Sequence, residues 1–259
     1  MSELNLISFE EESPEIKDRV EKYWTKRAST FFEQRRAEIE SDKANIWVEG
    51  ILSHIPEDKG IKILDVGCGA GFFPVILGRL GYDVTGIDLT EEMICYADKM
   101  LDLYNIDRTR VRVMQGDAEA PAFPDDSFDV IVTRNLTWTL PHPIEAYKQW
   151  GRILKKGGIL LNFDAEYAKG IHSGTGHKYD SLNNPAHAMI GKELNEECHK
   201  IYHMLTISSL DRPEWDVEVL TNVGFKEIEL DKCFYVKAFS TCDRFYIPNH
   251  LFMIKAKKQ

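Results

Sequence analysis

The chain has 259 residues, enough for one large domain or for one domain with an attached lid. Apolar residues make up 43% of it, which supplies a sizeable core and excludes disorder as the default. Acidic residues outnumber basic ones by 42 to 32, and a net charge of −10 is poorly suited to tracking phosphate backbones, so no nucleic-acid partner is expected.

The acidic stretch Met1–Glu12 holds no apolar core of signal-peptide length. No apolar run approaches the ~20 residues that cross a bilayer, so no membrane partner is expected. Cys68, Cys95, Cys198, Cys233 and Cys242 are scattered, odd in number and free of any C-x-x-C pair. That is the usage of a reducing compartment and points to the cytoplasm.

Pro14 to His54 reads as two helices. Val20, Tyr23, Trp24, Ala28, Phe31 and Phe32 recur at three- and four-residue steps, and Ile46, Trp47, Ile51 and Leu52 follow Ser41–Asp42, a plausible cap. After Gly60 the rhythm changes. Ile61–Val66 is a short apolar run ending in glycines, hence a buried strand. A helix through Leu77–Leu80 stops at Gly81. Asp83–Asp88 is a second strand, and Glu91–Tyr104 a helix capped by Thr90. Arg110–Gln115 and Phe128–Arg134 are further strands, Ile144–Leu154 a helix and Gly158–Asp164 a fifth strand. Such alternation predicts an α/β fold, a parallel sheet covered on both faces. From Ala165 to Arg212 the pattern breaks down, apart from a helix near Lys192–Leu205. Pro213–Val223 is a helix closed by Gly224, and Phe225–Tyr235 and Leu251–Lys255 read as two final strands of open pairing. There is no internal repeat.

Asp65-Val-Gly67-Cys68-Gly69-Ala-Gly71 follows a strand and opens a helix. Glycines there let the backbone turn sharply and approach a ligand. Dinucleotide enzymes carry a comparable turn spaced G-x-G-x-x-G, but Phe72 stands where the third glycine would be, which argues against NAD. Asp88 ends the second strand, where its carboxylate can accept from both hydroxyls of a ribose or cap the following helix. Asp117, just past the third strand, can accept from an adenine amino group or belong to a Gly-Asp turn.

Ile-Leu-Asp-Val-Gly-Cys-Gly-Ala-Gly-Phe, Val-Thr-Gly-Ile-Asp-Leu-Thr, Gly-Asp-Ala-Glu, Pro-Asp-Asp-Ser-Phe-Asp-Val-Ile and Arg-Ile-Leu-Lys-Lys-Gly-Gly-Ile-Leu occur in order over residues 61–164. Together they resemble the class I S-adenosylmethionine-dependent methyltransferases, in particular the small-molecule group that includes quinone-biosynthesis enzymes. The resemblance implies a Rossmann-like three-layer sandwich whose mostly parallel seven-stranded sheet ends in an antiparallel strand. It implies a helical cap over residues 1–56, a core over 57–259 and a substrate lid over about 165–212. It places Gly67, Cys68 and Gly69 beside the methionine part of S-adenosylmethionine, Asp88 on the ribose, Leu89 and Met93 near adenine, and Asp117–Ala118 at the adenine edge. Tyr23-Trp24-Thr-Lys-Arg27-Ala28 resembles a helix that folds over the cofactor, making Tyr23 and Arg27 candidate contacts. For Tyr23 and Trp24 an aromatic core stripe is the competing reading.

A sulfonium methyl is already electrophilic, so alignment and dehydration matter more than a catalytic triad, and none is evident. Ser208–Ser209 lacks a nucleophile elbow. Arg134–His142 should lie at the carboxyl edge of the sheet, with Asn135 meeting the cofactor through its backbone and Trp138 forming a wall or simply packing. His142, Asp164 and Glu166 are acid–base candidates, each with a strand-end or cap role as the alternative. Five histidines, His172, His177, His187, His199 and His203, crowd the Ala165–Arg212 insertion with Cys198. His172, His177, His199 and His203 are candidates for the substrate pocket, and His172 and His177 also for a base. Unrelated surface packing and a metal site are the alternatives, and the metal lacks a recognised ligand spacing. The expected partner is a small-molecule methyl acceptor. A nucleotide-dependent oxidoreductase and a non-catalytic cofactor-binding protein are the rival functions.

Overall fold

The computed structural model describes residues 14–167, 190–238, 245 and 250–259. Two helices open the chain, α1 (Pro14–Ile39) and α2 (Lys43–Leu52). Asp42 holds the N-cap position of α2 without a side-chain capping bond, and the preceding Ser41 Oγ accepts from the Lys43 N–H at 3.2 Å. Strands and helices then alternate as β1 (Lys62–Val66), α3 (Phe72–Gly78), β2 (Asp83–Asp88), α4 (Glu91–Leu103), β3 (Val111–Gln115), β4 (Phe128–Arg134), α5 (Pro143–Ile153) and β5 (Leu154–Ala165). The remaining described α-helices and strands are α6 (Lys192–Met204), α7 (Glu214–Asn222), β6 (Phe225–Asp231), α8 (Phe234–Ala238) and β7 (Leu251–Lys258).

The seven strands form one sheet in the order β3-β2-β1-β4-β5-β7-β6. The pairs from β3 to β5 are parallel, whereas β7 runs antiparallel between β5 and β6. The expected architecture holds, and the pairing left open by hydropathy is now defined: Leu161 lies opposite Lys255, and Phe225 opposite Lys258. The final region departs in one respect. The strand expected over Phe225–Tyr235 ends at Asp231, whose carboxylate accepts from the Cys233 N–H at 2.8 Å and turns the chain. Phe234 then starts α8 and buries its ring against Trp47 and Phe163, at centroid distances of 5.5 and 4.9 Å.

Central strands are buried on both faces, as parallel sheets require. Ile63, Val130, Val132 and Phe163 pack against α2, α3 and α4, while Leu64, Val66, Ile131 and Leu160 pack against α5 and α7. A third cluster lies over the carboxyl ends of the strands. It joins Ile16, Val20 and Tyr23 of α1 to Trp138 and to Cys198, Ile201 and Tyr202 of α6. Among the described residues no helix is long and apolar enough to cross a membrane.

Asp164, an acid–base candidate in the sequence, is fully buried in a structural network. It accepts from the Trp138 N–H at 3.0 Å, from the Ala165 N–H at 2.8 Å and from Thr137 Oγ1, and lies 3.3 Å from the Arg212 guanidinium. Arg212 also donates to both Asp216 oxygens at 2.8 Å, and Tyr147 Oη donates to Asp216 at 2.6 Å. Burial raises the Asp164 carboxyl above its ordinary value, with Arg212 opposing that shift. One cation thus serves two buried carboxylates and joins β5 to α7. Arg212→Ala should cost about 3–5 kcal/mol, because removing one partner strands buried charge. Urea denaturation of the variant checks this, and a loss below about 1 kcal/mol would mean that the carboxylates find other compensation.

Candidate functional site

The turn between β1 and α3 depends on left-handed backbone at Gly67, φ 70°, and Gly69, φ 51°. A Cβ at Gly67 would stand 2.7 Å from Leu136 Cδ1, and one at Gly69 would stand 2.8 Å from Phe31 Cε1. Side chains are therefore excluded twice, by conformation and by space. The turn is tied to β2 by two bonds. Cys68 N–H donates to the Ile87 carbonyl at 2.9 Å, and Gly69 N–H donates to Asp88 Oδ2 at 2.9 Å. The other Asp88 oxygen accepts from the Thr90 N–H and Oγ1, both at 3.1 Å, and Thr90 in turn caps α4 through the Met93 N–H at 3.3 Å. Asp88 is thus both a strand-end cap and a cavity wall. Burial raises its carboxyl, and these N–H donors oppose the rise.

The cavity above this turn holds about 1420 Å³ of space, counting its open mouth. Of the sequence-predicted residues, Tyr23, Arg27, Gly67, Cys68, Gly69, Asp88, Leu89, Met93, Asp117, Ala118, Asn135 and Trp138 all line it. Helix α1 lies across it with its inner face inward. Trp24 packs edge-on to Tyr23, Phe31 and Trp138, and Trp138 packs 4.8 Å from Tyr202 and 5.1 Å from Tyr167. At the far end Lys17 of α1 donates to Asp117 at 2.5 Å and to Glu119 at 2.7 Å. Burial works against the Lys17 charge, but these two carboxylates hold its pKa above the ordinary value.

Asn135 lines the cavity at the end of β4. Its N–H donates to the Phe163 carbonyl at 2.7 Å and its carbonyl accepts from the Trp138 indole at 2.9 Å, which leaves that oxygen a second lone pair. Its side-chain oxygen has no hydrogen-bond partner among the described residues. His142 is half-exposed beside the cavity, with its N–H 2.6 Å from Glu119 Oε1 and its ring 3.4 Å from Glu119 Oε2. Glu166 accepts from the Arg212 N–H at 2.8 Å in a neighbouring crevice. His199 and His203 lie off the cavity: α6 turns Cys198, Ile201 and Tyr202 inward, and its four-residue spacing carries both imidazoles to the outer side. His172 and His177 lie outside the described residues, among which no group of three or more metal-ligating side chains occurs.

Four charged residues at this site are given no role by the sequence alone. Asp65, Arg35 and Arg134 line the cavity, and Glu38 is buried behind it. Asp65 was legible, as the acid near the end of β1, two positions before the first glycine. Arg35 and Glu38 were not, because charged residues on a helix ordinarily read as its solvated face.

Residues 64–162 match the family model described as a methyltransferase domain. The chain is 34% identical over 121 residues to the putative methyltransferase YqeM of Bacillus subtilis (strain 168), covering 44% of this chain and 46% of the relative. It is 31% identical over 128 residues to a demethylmenaquinone methyltransferase of Staphylococcus aureus (strain MRSA252), covering 48% and 51%. The chain thus spans about half the length of the curated relatives it matches. Among solved structures, a putative S-adenosyl-L-methionine-dependent methyltransferase from Methanococcus maripaludis shares the fold with a TM-score of 0.62, at 18% identity and with 91% and 93% of the two chains covered.

Burial, and then the neighbouring Asp88, raise the Asp65 carboxyl well above its ordinary value, while Arg134 opposes them. A raised folded-state value means that its contribution to stability is complete below the unfolded value of about 3.9 and is lost as pH rises through the folded value. Asp65→Asn cannot ionise. Ligand-free variant should therefore melt at or above the wild-type temperature near about pH 8, with the difference vanishing towards about pH 4. Melting curves across that range check this, and a variant that melts lower at the alkaline end contradicts it.

Proposed function

We propose that this chain, which carries a class I S-adenosylmethionine-dependent methyltransferase domain, transfers a methyl group from that cofactor to a small-molecule acceptor in the same cavity. The observation that carries the reading is the 2.9 Å bond from Gly69 N–H to Asp88, which sets a carboxylate from β2 beside the glycine turn from β1 on one cavity. A cytoplasmic location belongs to the same proposal.

The donor set suits the cofactor. Asp88 has lone-pair capacity left for ribose hydroxyls, and a carboxylate can accept about four hydrogen bonds. Asp65 suits an ammonium group and Arg27 a carboxylate. Leu89, Met93 and Ala118 offer apolar walls to a purine, with Asp117 at its edge. When bound, S-adenosylmethionine supplies a methyl carbon already activated by its sulfonium sulfur. The acceptor's lone pair forms the new bond to that carbon while the carbon–sulfur pair returns to sulfur.

What remains for the protein is alignment and exclusion of water. Helix α1 roofs the cavity, and the rings of Trp24, Phe31 and Trp138 replace solvent there. Burial raises the Tyr23 and Tyr202 hydroxyls well above their ordinary values and raises the Cys198 thiol as well. These groups stay protonated at neutral pH and can donate hydrogen bonds. An acceptor that arrives with a free lone pair therefore fits this cavity better than one that must lose a proton to it. The rival dinucleotide reading is disfavoured by Phe72, whose ring is buried against Phe73 and Trp47 in the place of a third glycine.

S-adenosylhomocysteine at about 100 times its Kd should stabilise the protein by about 2.7 kcal/mol. Asp88→Ala should weaken that binding about 10- to 100-fold, the range for lost hydrogen bonds to a charged acceptor. Thermal shift and calorimetry measure both, with the ligand-free variant as control for the lost Gly69 and Thr90 contacts; equal binding by variant and wild type removes the ribose assignment. Incubation with methyl-labelled cofactor and a metabolite extract, read by mass spectrometry, tests transfer. Tight binding with no labelled product would leave a cofactor-binding protein instead of an enzyme.

A further inference from the structure

Three guanidinium groups line the cavity: Arg27 and Arg35 on α1, and Arg134 at the end of β4. All are deeply buried, with residue exposures of 5% for Arg27 and 6% for Arg35 and a side-chain exposure of 9% for Arg134. Arg35 and Arg134 share one carboxylate. Glu38 accepts from Arg134 at 2.8 and 3.2 Å, from Arg35, and from the Trp47 indole at 2.9 Å. Burial alone would raise the Glu38 carboxyl, but the two arginines hold it below its ordinary value, so it stays ionised.

One carboxylate does not saturate these donors. The Nε–H of Arg27, of Arg35 and of Arg134 each lacks a hydrogen-bond partner among the described residues. Rings cover part of the exposed charge: the Arg134 guanidinium lies 3.6 Å from the Trp47 ring centre, and Arg35 lies 4.6 Å from that of Phe31. Burial lowers the pKa of Arg27 and brings that of Arg134 to about 10, and the Arg35 charge acts in the same direction on both. The Arg35 charge therefore opposes those of Arg27 and Arg134, on a cavity that Asp65, Asp88 and Asp117 also line. A buried charge is costly unless paired and hydrogen-bonded, so guanidinium groups that line a cavity and outnumber the carboxylate they share mark a place for an anion.

The methyl donor cannot be the whole of that anion. S-adenosylmethionine has a sulfonium and an ammonium against a single carboxylate, so its entry brings net positive charge and leaves Arg35 and Arg134 with Glu38 as their one hydrogen-bonded carboxylate among the described residues. We propose that the methyl acceptor itself carries an oxyanion, a carboxylate or phosphate on an apolar body, and that Arg35 and Arg134 hold that group. This rests on the methyltransfer reading above. Guanidinium forks match both oxyanions in a bidentate manner, and the rings of Trp24, Phe31 and Trp138 suit the apolar remainder.

Calorimetry on the full chain tests this in two stages. S-adenosylhomocysteine is titrated first, and if it does not bind, the methyl-donor reading fails and takes this inference with it. Benzoate, phenyl phosphate and neutral benzamide are then titrated into the saturated complex. At least one anionic probe should bind about tenfold or more tightly than benzamide, and Arg35→Gln, which leaves Glu38 paired with Arg134, should remove most of that preference. The same variant should change S-adenosylhomocysteine affinity by less than about threefold. Equal binding of the three probes overturns the proposal while leaving the methyl-donor reading intact. So does displacement of the anion by S-adenosylhomocysteine, or an equal loss of both ligands in Arg35→Gln, since either result gives these arginines to the cofactor's own carboxylate. The wild-type comparison of probes decides the matter even if the variant does not fold.

Discussion

The bond between the Gly69 N–H and the Asp88 carboxylate is the constraint around which the site is arranged. It joins the carboxyl ends of two adjacent parallel strands. It keeps the glycine turn open towards the cavity and holds Asp88 where Thr90 can also reach it and cap α4. Position in the sheet matters as much as residue type here. At the carboxyl ends of parallel strands a cleft forms where neighbouring connections leave in opposite directions. In this fold β1 lies between β2 and β4, so the turns after all three strands meet in that cleft.

Helix α1 completes what the sheet begins. Its inner face is aromatic near Trp24 and Phe31 and ionic near Arg35 and Glu38. The ionic part is not a surface pair of small worth. Glu38 is buried between two guanidinia and an indole N–H, and truncating one partner of such a group costs far more than losing an exposed salt bridge. At its opening end α1 reaches Asp117 and Glu119 through Lys17. Roofing and part of the cavity's electrostatics are thus properties of one element.

The candidates from the sequence separate by burial and by partner. Asp164 sits at a strand's carboxyl end, as an acid–base residue would, yet Arg212, Thr137 and two backbone N–H groups surround it. His142 occupies the right loop and turns towards Glu119. Tyr23 lines the cavity, and burial favours the protonated form of its hydroxyl as it does for the Tyr202 hydroxyl and the Cys198 thiol.

Local sequence determined the parts that depend on a few adjacent residues. The glycine turn, the acid ending β2, the Thr90 cap and the alternation of strands and helices each follow from backbone conformation or periodicity within a short window. Tertiary structure decided what depends on residues far apart. The pairing of β7 between β5 and β6 needed the whole sheet, and the early end of β6 needed Trp47 and Phe163 as partners for Phe234. The burial of Glu38 between Arg35 and Arg134 depends on a contact across 96 positions. A charged helical residue looks solvated until another element covers it, and nothing in the neighbouring residues reports that cover.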